Sequence, residues 1–158
     1  MPIEEQQFRR VLGHFAAGVA IVTTVGDHGT PYGLTATAFT SVSLEPPLVL
    51  VCVDKGAESH PRFCAARVFA VNFLRVDHEH LSRRFAVSGG DKFKDLVVTR
   101  GVTGAPLLPE ALGYLECRIV DIFEGGDHSI FLGQVEAGDA RDGDPLLHFR
   151  GAYRQIAG

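Results

Sequence analysis

Five hydroxyl side chains fall within nine residues of this chain: Thr35, Thr37, Thr40, Ser41 and Ser43. Ala36 and Ala38 separate the first of them, and the segment reads as extended. Hydroxyls offer neutral hydrogen-bonding groups in fixed positions, and small alanines let a flat ring approach the backbone closely. The same composition also serves an edge strand that uses threonine for its β-propensity. The segment alone leaves both readings open. A second candidate is His128, directly after Gly125-Gly126-Asp127, where a sharp turn would present an imidazole at the mouth of a strand. There it could hydrogen-bond an amide or a phosphate, or simply be solvated, as turn histidines commonly are.

Other chemistries find little footing. No GxGxxG, GxxxxGKS/T or GxSxG string occurs, so Rossmann, P-loop and α/β-hydrolase sites have no local support. His78-Glu79-His80 places two histidines at i, i+2, which diverge on a helix; a solvated helix start is expected, and no metal. Ser59 and His60 cannot pair as nucleophile and base, because sequence neighbours on a helix do not face each other. Cys52, Cys64 and Cys117 are odd in number, widely spaced and without a CxxC pair. Buried, reduced thiols are the expectation, and with them a reducing, cytoplasmic setting. A net charge of −4 and no basic run argue against a nucleic-acid or anionic-membrane partner. The opening MPIEEQQFRR lacks the apolar core of a secretory signal. Apolar stretches fall short of the ~18–20 residues that cross a bilayer.

The elements that must position these residues follow from periodicity. At 158 residues, a single domain over 1–158 is the default. Phe8, Val11, Leu12 and Phe15 recur at helical spacing and predict an amphipathic helix ended by Gly18. Val19–Val25 and Tyr32–Phe39 predict a hairpin about the Gly26–Gly29 turn. Pro46-Pro47 forces an extended kink before Leu48–Val53, which reads as a fully buried strand. Ser59 predicts an N-cap, with Pro61 in the first turn of a short helix to Ala66. Val68–Leu74 is a strand, and Asp77 is expected to cap a helix carrying Leu81 and Phe85. Ser88–Pro109 is rich in Gly and Pro and reads as an irregular excursion. Leu115, Cys117 and Ile119 alternate with Glu116 and Arg118, the pattern of a half-exposed strand. Ser129–Val135, Leu146–Phe149 and Ala152–Ile156 complete the set. About seven strands in mostly hairpin order predict a mainly β, antiparallel barrel.

Four stretches together resemble the flavin reductase-like family, the small reductase partners of two-component flavin monooxygenases. They are FRRVLGHFAAGV from Phe8 with Val22-Thr-Thr24, GLTATAFTSVSLEPP from Gly33, Phe69–Leu74, and GDHSIFLGQV from Gly126. Gly104–Leu108 and Pro145–Tyr153 add to the likeness, which runs from about Phe8 to Tyr153. Where relatives commonly read Gly-Met-Thr-Ala-Asn, this chain has Leu34 and Thr37. Leucine for methionine conserves volume, whereas Thr37 keeps a donor on a shorter, branched side chain.

The resemblance implies a homodimeric split β-barrel of the FMN-binding type with a few short flanking helices. It implies hydride transfer from NADH or NADPH to FMN or FAD, with reduced flavin passed to a partner monooxygenase. Carried over by position, Thr35, Ala36, Thr37, Ala38 and Phe39 would line the isoalloxazine ring. Ser41, Val42 and Ser43 would follow the ribityl chain, and Ser59 and Lys92 would hold the phosphate. His128 would position the nicotinamide, with Phe8, Arg9 and Tyr153 bordering the same nucleotide. Asn72 is assigned a structural role first, because a buried amide needs a partner, and a flavin contact second. Hydride transfer needs no protein acid, base or nucleophile; it needs two rings held about 3–3.5 Å apart in a dry pocket. No arginine cluster marks a 2′-phosphate site, which leans toward NADH. Two alternatives share the barrel: a flavoprotein with tightly held FMN acting as oxidase or electron carrier, and a non-catalytic flavin- or haem-binding module.

Overall fold

The computed structural model describes residues 1–157. Seven strands form one antiparallel sheet in the order β3-β2-β6-β9-β10-β5-β4. They are β2 (Ala20–Val25), β3 (Pro31–Ala36), β4 (Phe39–Leu44), β5 (Pro47–Asp54), β6 (Val68–Phe73), β9 (Gly113–Gly125) and β10 (His128–Ala140). A three-stranded sheet joins β1 (Ala17–Gly18), β11 (Leu147–Phe149) and β12 (Ala152–Arg154), and a small ribbon pairs β7 (Thr99–Arg100) with β8 (Pro106–Leu107). Three helices flank them: α1 (Glu5–Leu12), α2 (His60–Ala66) and α3 (Glu79–Ala86).

The outermost strands of the main sheet, β3 and β4, are consecutive in the chain and separated only by Thr37 and Ala38. So short a connection can hold only if the sheet curls until its two edges meet. The result is a barrel split at those two residues. Val22, Val51, Val53, Phe69, Val71 and Phe131 fill its interior, and Phe63 of α2 packs into the same cluster. β2 is buried on both faces, as its run of apolar and β-branched residues requires: Val22 points into the barrel while Val19 and Ile21, outside it, pack with Leu81 and Phe85 of α3. Asn72 is fully buried, and its side chain donates to the Ile21 carbonyl (3.1 Å) and accepts from the Leu108 amide (2.9 Å). Its role is structural, and both ends of the amide are satisfied.

Several expectations are corrected. The first helix ends at Leu12, with Gly13 as its cap, and Gly18 lies in β1. The apolar face of α1 is only partly covered: Phe8, Val11 and Leu12 are each about half exposed, and Phe15 beyond the helix is 80% exposed. β5 alternates, with Val49, Val51 and Val53 inward and Leu48, Leu50 and Cys52 only partly covered on the outer face. His78 takes the N-cap position of α3, while Asp77 pairs with Arg75 (2.8 Å), whose guanidinium holds the Asp77 carboxyl below its usual range. Ser59 sits at the N-cap of α2 without a side-chain cap bond.

Glu116 departs furthest from its expected place. Strand alternation puts it on the face away from Cys117, and that face is covered by the Ser88–Pro109 excursion; only 2% of Glu116 is exposed. Its carboxylate accepts from the Val102 amide (3.2 Å), the Thr103 amide (3.0 Å) and the Thr103 hydroxyl (2.9 Å). One carboxylate therefore anchors a loop that has little regular structure of its own. Glu116→Ala leaves those donors without a partner and is expected to cost about 2–3 kcal/mol. Urea unfolding should report that loss, and hydrogen exchange should show the Val102 and Thr103 amides deprotected.

Candidate functional site

At the split, the backbone changes partners. The Thr37 carbonyl accepts from the Phe39 amide (3.0 Å) and the Ala38 carbonyl from the Cys52 amide (3.1 Å). The amides of Thr37 and Ala38 lie outside both neighbouring ladders, since the β2–β3 pairing stops at Ala36 and the β4–β5 pairing starts at Phe39. Against this bridge lies a cleft of about 520 Å3. Its walls are Leu34–Ala38, Cys52 and Asp54 of β5, the turn Gly56–Ser59, the end of α3 through Ser88, Lys92, and His128.

Each wall has a physical cause. The Thr35 hydroxyl donates to the Ser82 carbonyl of α3 (2.6 Å), so this side chain is used internally. The Ser82 hydroxyl in turn bonds the Tyr153 hydroxyl (2.6 Å), and Arg83 stacks over the Tyr153 ring, 4.9 Å from its centroid. Lys92 reaches back across the cleft, donating to the Gly33 carbonyl (3.2 Å) and the Phe85 carbonyl (3.1 Å). An ammonium has three N–H donors, so one is left for a ligand. Burial holds the Lys92 ammonium below the ordinary lysine range, and the nearby Glu58 carboxylate opposes that fall. Glu58 is itself tied to the loop above α3 by the Gly89 amide (3.0 Å).

His128 opens β10 opposite Asp54 of β5. Its Nδ1 lies 2.7 Å from the Asp127 carboxylate, whose pKa is lowered first by that hydrogen bond, then by the charge of His128 and, more weakly, of Arg9. A carboxylate only accepts, so Nδ1 carries the hydrogen in this contact. Next to it, Ser129 is buried and bonds Nε2 of His60 (2.8 Å). That bond fastens the mouth of β10 to α2, on the side of the cleft where Ser59 lies.

The cleft thus gathers Thr35, Ala36, Thr37, Ala38, Ser59, Lys92 and His128 from distant parts of the chain. It does not gather the rest of the expected set. The Phe39 ring turns inward onto Phe73 (centroids 5.4 Å apart) and borders a different hollow on the other side of Ala36 and Thr37. Ser41, Val42 and Ser43 leave along β4, whose pairing with β5 is irregular at Val42. Phe8 stands on the exposed α1, and Tyr153 acts from behind, through Ser82. Sequence reading missed Cys52, Glu58 and Ala86–Ser88; the only available signal was the Gly89-Gly90 pair, both with positive φ, which marks a tight loop over the site. Burial, in the carboxylate-flanked strand β9, pushes the Cys117 thiol up to about 12. Cys52, Cys64 and Cys117 are all free. Among the described residues no cluster of three His, Cys, Asp or Glu could hold a metal ion. Nor, among the described residues, is any helix long and apolar enough to cross a membrane.

The donor set fits a flat ligand with an anionic tail: small alanines and backbone amides at the split, a partly buried ammonium and a serine hydroxyl further along. A split antiparallel barrel with such a cleft is the frame of a flavin-binding oxidoreductase. The chain belongs to the family described as flavin reductase like domain, which matches residues 12–157. It is 45% identical over 152 residues to the reductase component of 4-nitrophenol 4-monooxygenase/4-nitrocatechol 2-monooxygenase from Rhodococcus opacus, covering 96% of this chain and 81% of that protein. It is 41% identical over 152 residues to an FMN reductase (NADH) from Agrobacterium fabrum, covering 96% and 86%. The NADH:FAD oxidoreductase of Streptomyces globisporus, solved with NAD and FAD fragments, superposes with a TM-score of 0.91 at 41% identity, covering 99% of this chain and 97% of that one.

Proposed function

We propose that this chain is an NAD(P)H:flavin oxidoreductase that reduces FMN or FAD and releases the reduced flavin to a separate monooxygenase. The observation that carries this reading is the single cleft in which Lys92 and Ser59 stand toward one end and His128 at the strand mouth, with the split backbone between them. When bound, the flavin accepts a hydride from the reduced nicotinamide, a chemistry carried by the two cofactors. The protein's part is to bind, orient and exclude water.

The Thr37 and Ala38 amides present donors to the electron-rich edge of the ring, where charge grows on reduction. Ala36 and Ala38 keep the floor low enough for a planar group to lie flat. Lys92, already anchored by two carbonyls, gives its remaining N–H to the flavin phosphate, beside the Ser59 hydroxyl. His128, its Nδ1 engaged by Asp127, keeps Nε2 for the carboxamide of a nicotinamide.

A second copy of the chain completes this reading. Leu48, Leu50 and Cys52 of β5 and Ile130 and Leu132 of β10 form a partly covered apolar face, with Phe123 of β9 exposed beside it. Cys52 belongs both to that face and to the cleft. Contiguous apolar surface of this kind marks an interface, and a homodimer across it would wall the cleft from outside. Sedimentation should give roughly twice the 17.1 kDa chain mass.

Three experiments bear on the proposal. Mixing the protein with NADH and free FMN or FAD should consume oxygen and NADH only when flavin is present; absence of flavin-dependent oxidation would sink it. His128→Ala is expected to raise the KM for NADH about tenfold, the loss of one hydrogen bond, while flavin Kd stays within about twofold. The third is a pH titration. Because its pKa is lowered, Lys92 loses its charge at lower pH than an exposed lysine, so FMN affinity is full near neutrality and falls early as pH rises. Calorimetry from neutral to alkaline pH should show that limb, and Lys92→Arg, charged throughout, should remove it.

A further inference from the structure

A second cleft, about 610 Å3, adjoins the first and shares Glu58, Ser59 and Lys92 with it. Its other walls are the start of β3, from Thr30 to Gly33, and the loop from Gly90 to Phe93. Two features set its chemistry. Tyr32 supplies an aromatic ring braced from outside the cleft: the Arg62 guanidinium lies 5.1 Å from its centroid, and Gly26 lets the ring come so close that a Cβ there would stand 2.5 Å from it. Arg62 is held in place in turn by Asp27 (3.6 Å). A ring fixed in this way is a stacking platform for another planar group.

The second feature is acidic. Glu58 spends one carboxylate oxygen on the Gly89 amide and Asp91 one on the Phe93 amide (3.1 Å), so each keeps an oxygen that can accept from a hydroxyl. Two carboxylates lining one cleft suit a diol, which donates to both, and disfavour a further phosphate. Between the two clefts stands the Lys92 ammonium.

Building on the flavin reading above, we propose that this second cleft receives the adenosine of FAD: base on Tyr32, ribose diol at Glu58 and Asp91, pyrophosphate at Lys92 and Ser59. The chain is then selective for FAD over FMN, and Tyr32 sets that selectivity. An adenosine could also come from the nicotinamide nucleotide, but His128 borders the first cleft and not the second, which favours the flavin as its source.

Calorimetric titration of the purified protein with FMN and with FAD tests this without reference to turnover. The wild type should bind FAD about tenfold more tightly than FMN, the worth of one base–aromatic stack. Tyr32→Leu should abolish that preference by weakening FAD alone, and Tyr32→Phe should retain it. Equal Kd values for the two flavins in the wild type would overturn the proposal, as would equal weakening of both by Tyr32→Leu. A KM for NADH that rises in Tyr32→Leu with both flavin affinities unchanged would assign the cleft to the other nucleotide and overturn it too. Binding of neither flavin would instead bring down the underlying function.

Discussion

Two residues cannot reach far. Fully extended, the step from Ala36 across Thr37 and Ala38 to Phe39 spans about 10 Å, yet it joins strands from opposite edges of a seven-stranded sheet. The curl of the sheet, the enclosed interior and the break in the ladder all follow from that short connection. So does the site. A barrel that closed with continuous pairing would consume every amide along the seam. Here the seam is open for two residues, and their amides are free to meet a ligand. Around this opening, α2 fills the interior with Phe63 and α3 covers the outer face of β2. Both helices therefore deliver cleft residues at their ends as a consequence of packing elsewhere.

Side chains that look polar on paper divide sharply in this frame. Thr35 and Tyr153 meet on Ser82, and Asn72 holds β2 to the residues after β8. Glu116 secures the long excursion between α3 and β9. These groups are consumed by the fold. Thr37, Ser59, Lys92 and His128 keep unspent hydrogen-bonding capacity, and these converge on one cleft. Satisfaction of buried polar groups thus separates scaffold from site more cleanly than residue type does.

Much of this was legible in the order of residues. β-branched runs and turn-forming glycines located β2, β3 and β6 within about three residues and the first half of β10, and the mainly β, antiparallel class followed. Thr35–Ala38 and His128 stood out as local clusters, and the family resemblance added Ser59 and Lys92. What was not legible depends on contacts distant in sequence. Helical spacing in Phe8–Phe15 says that a face is apolar, not that the same chain will cover it. Alternation around Glu116 says which face it takes, but not that a loop from 13 to 14 residues earlier folds over that face. Ser41, Val42 and Ser43 run on along β4, past the cleft that Thr35–Ala38 border, because the chain changes direction at the split.

The Ser82 junction carries one further implication. The strand that ends the sheet of β1, β11 and β12 leans, through the Tyr153 phenol, on the turn of α3 that steadies Thr35. Strain applied near the carboxyl end would thereby be transmitted mechanically to the lip of the barrel seam. Anything fused or tethered there pulls on the same lever that sets the position of Thr35 at the seam.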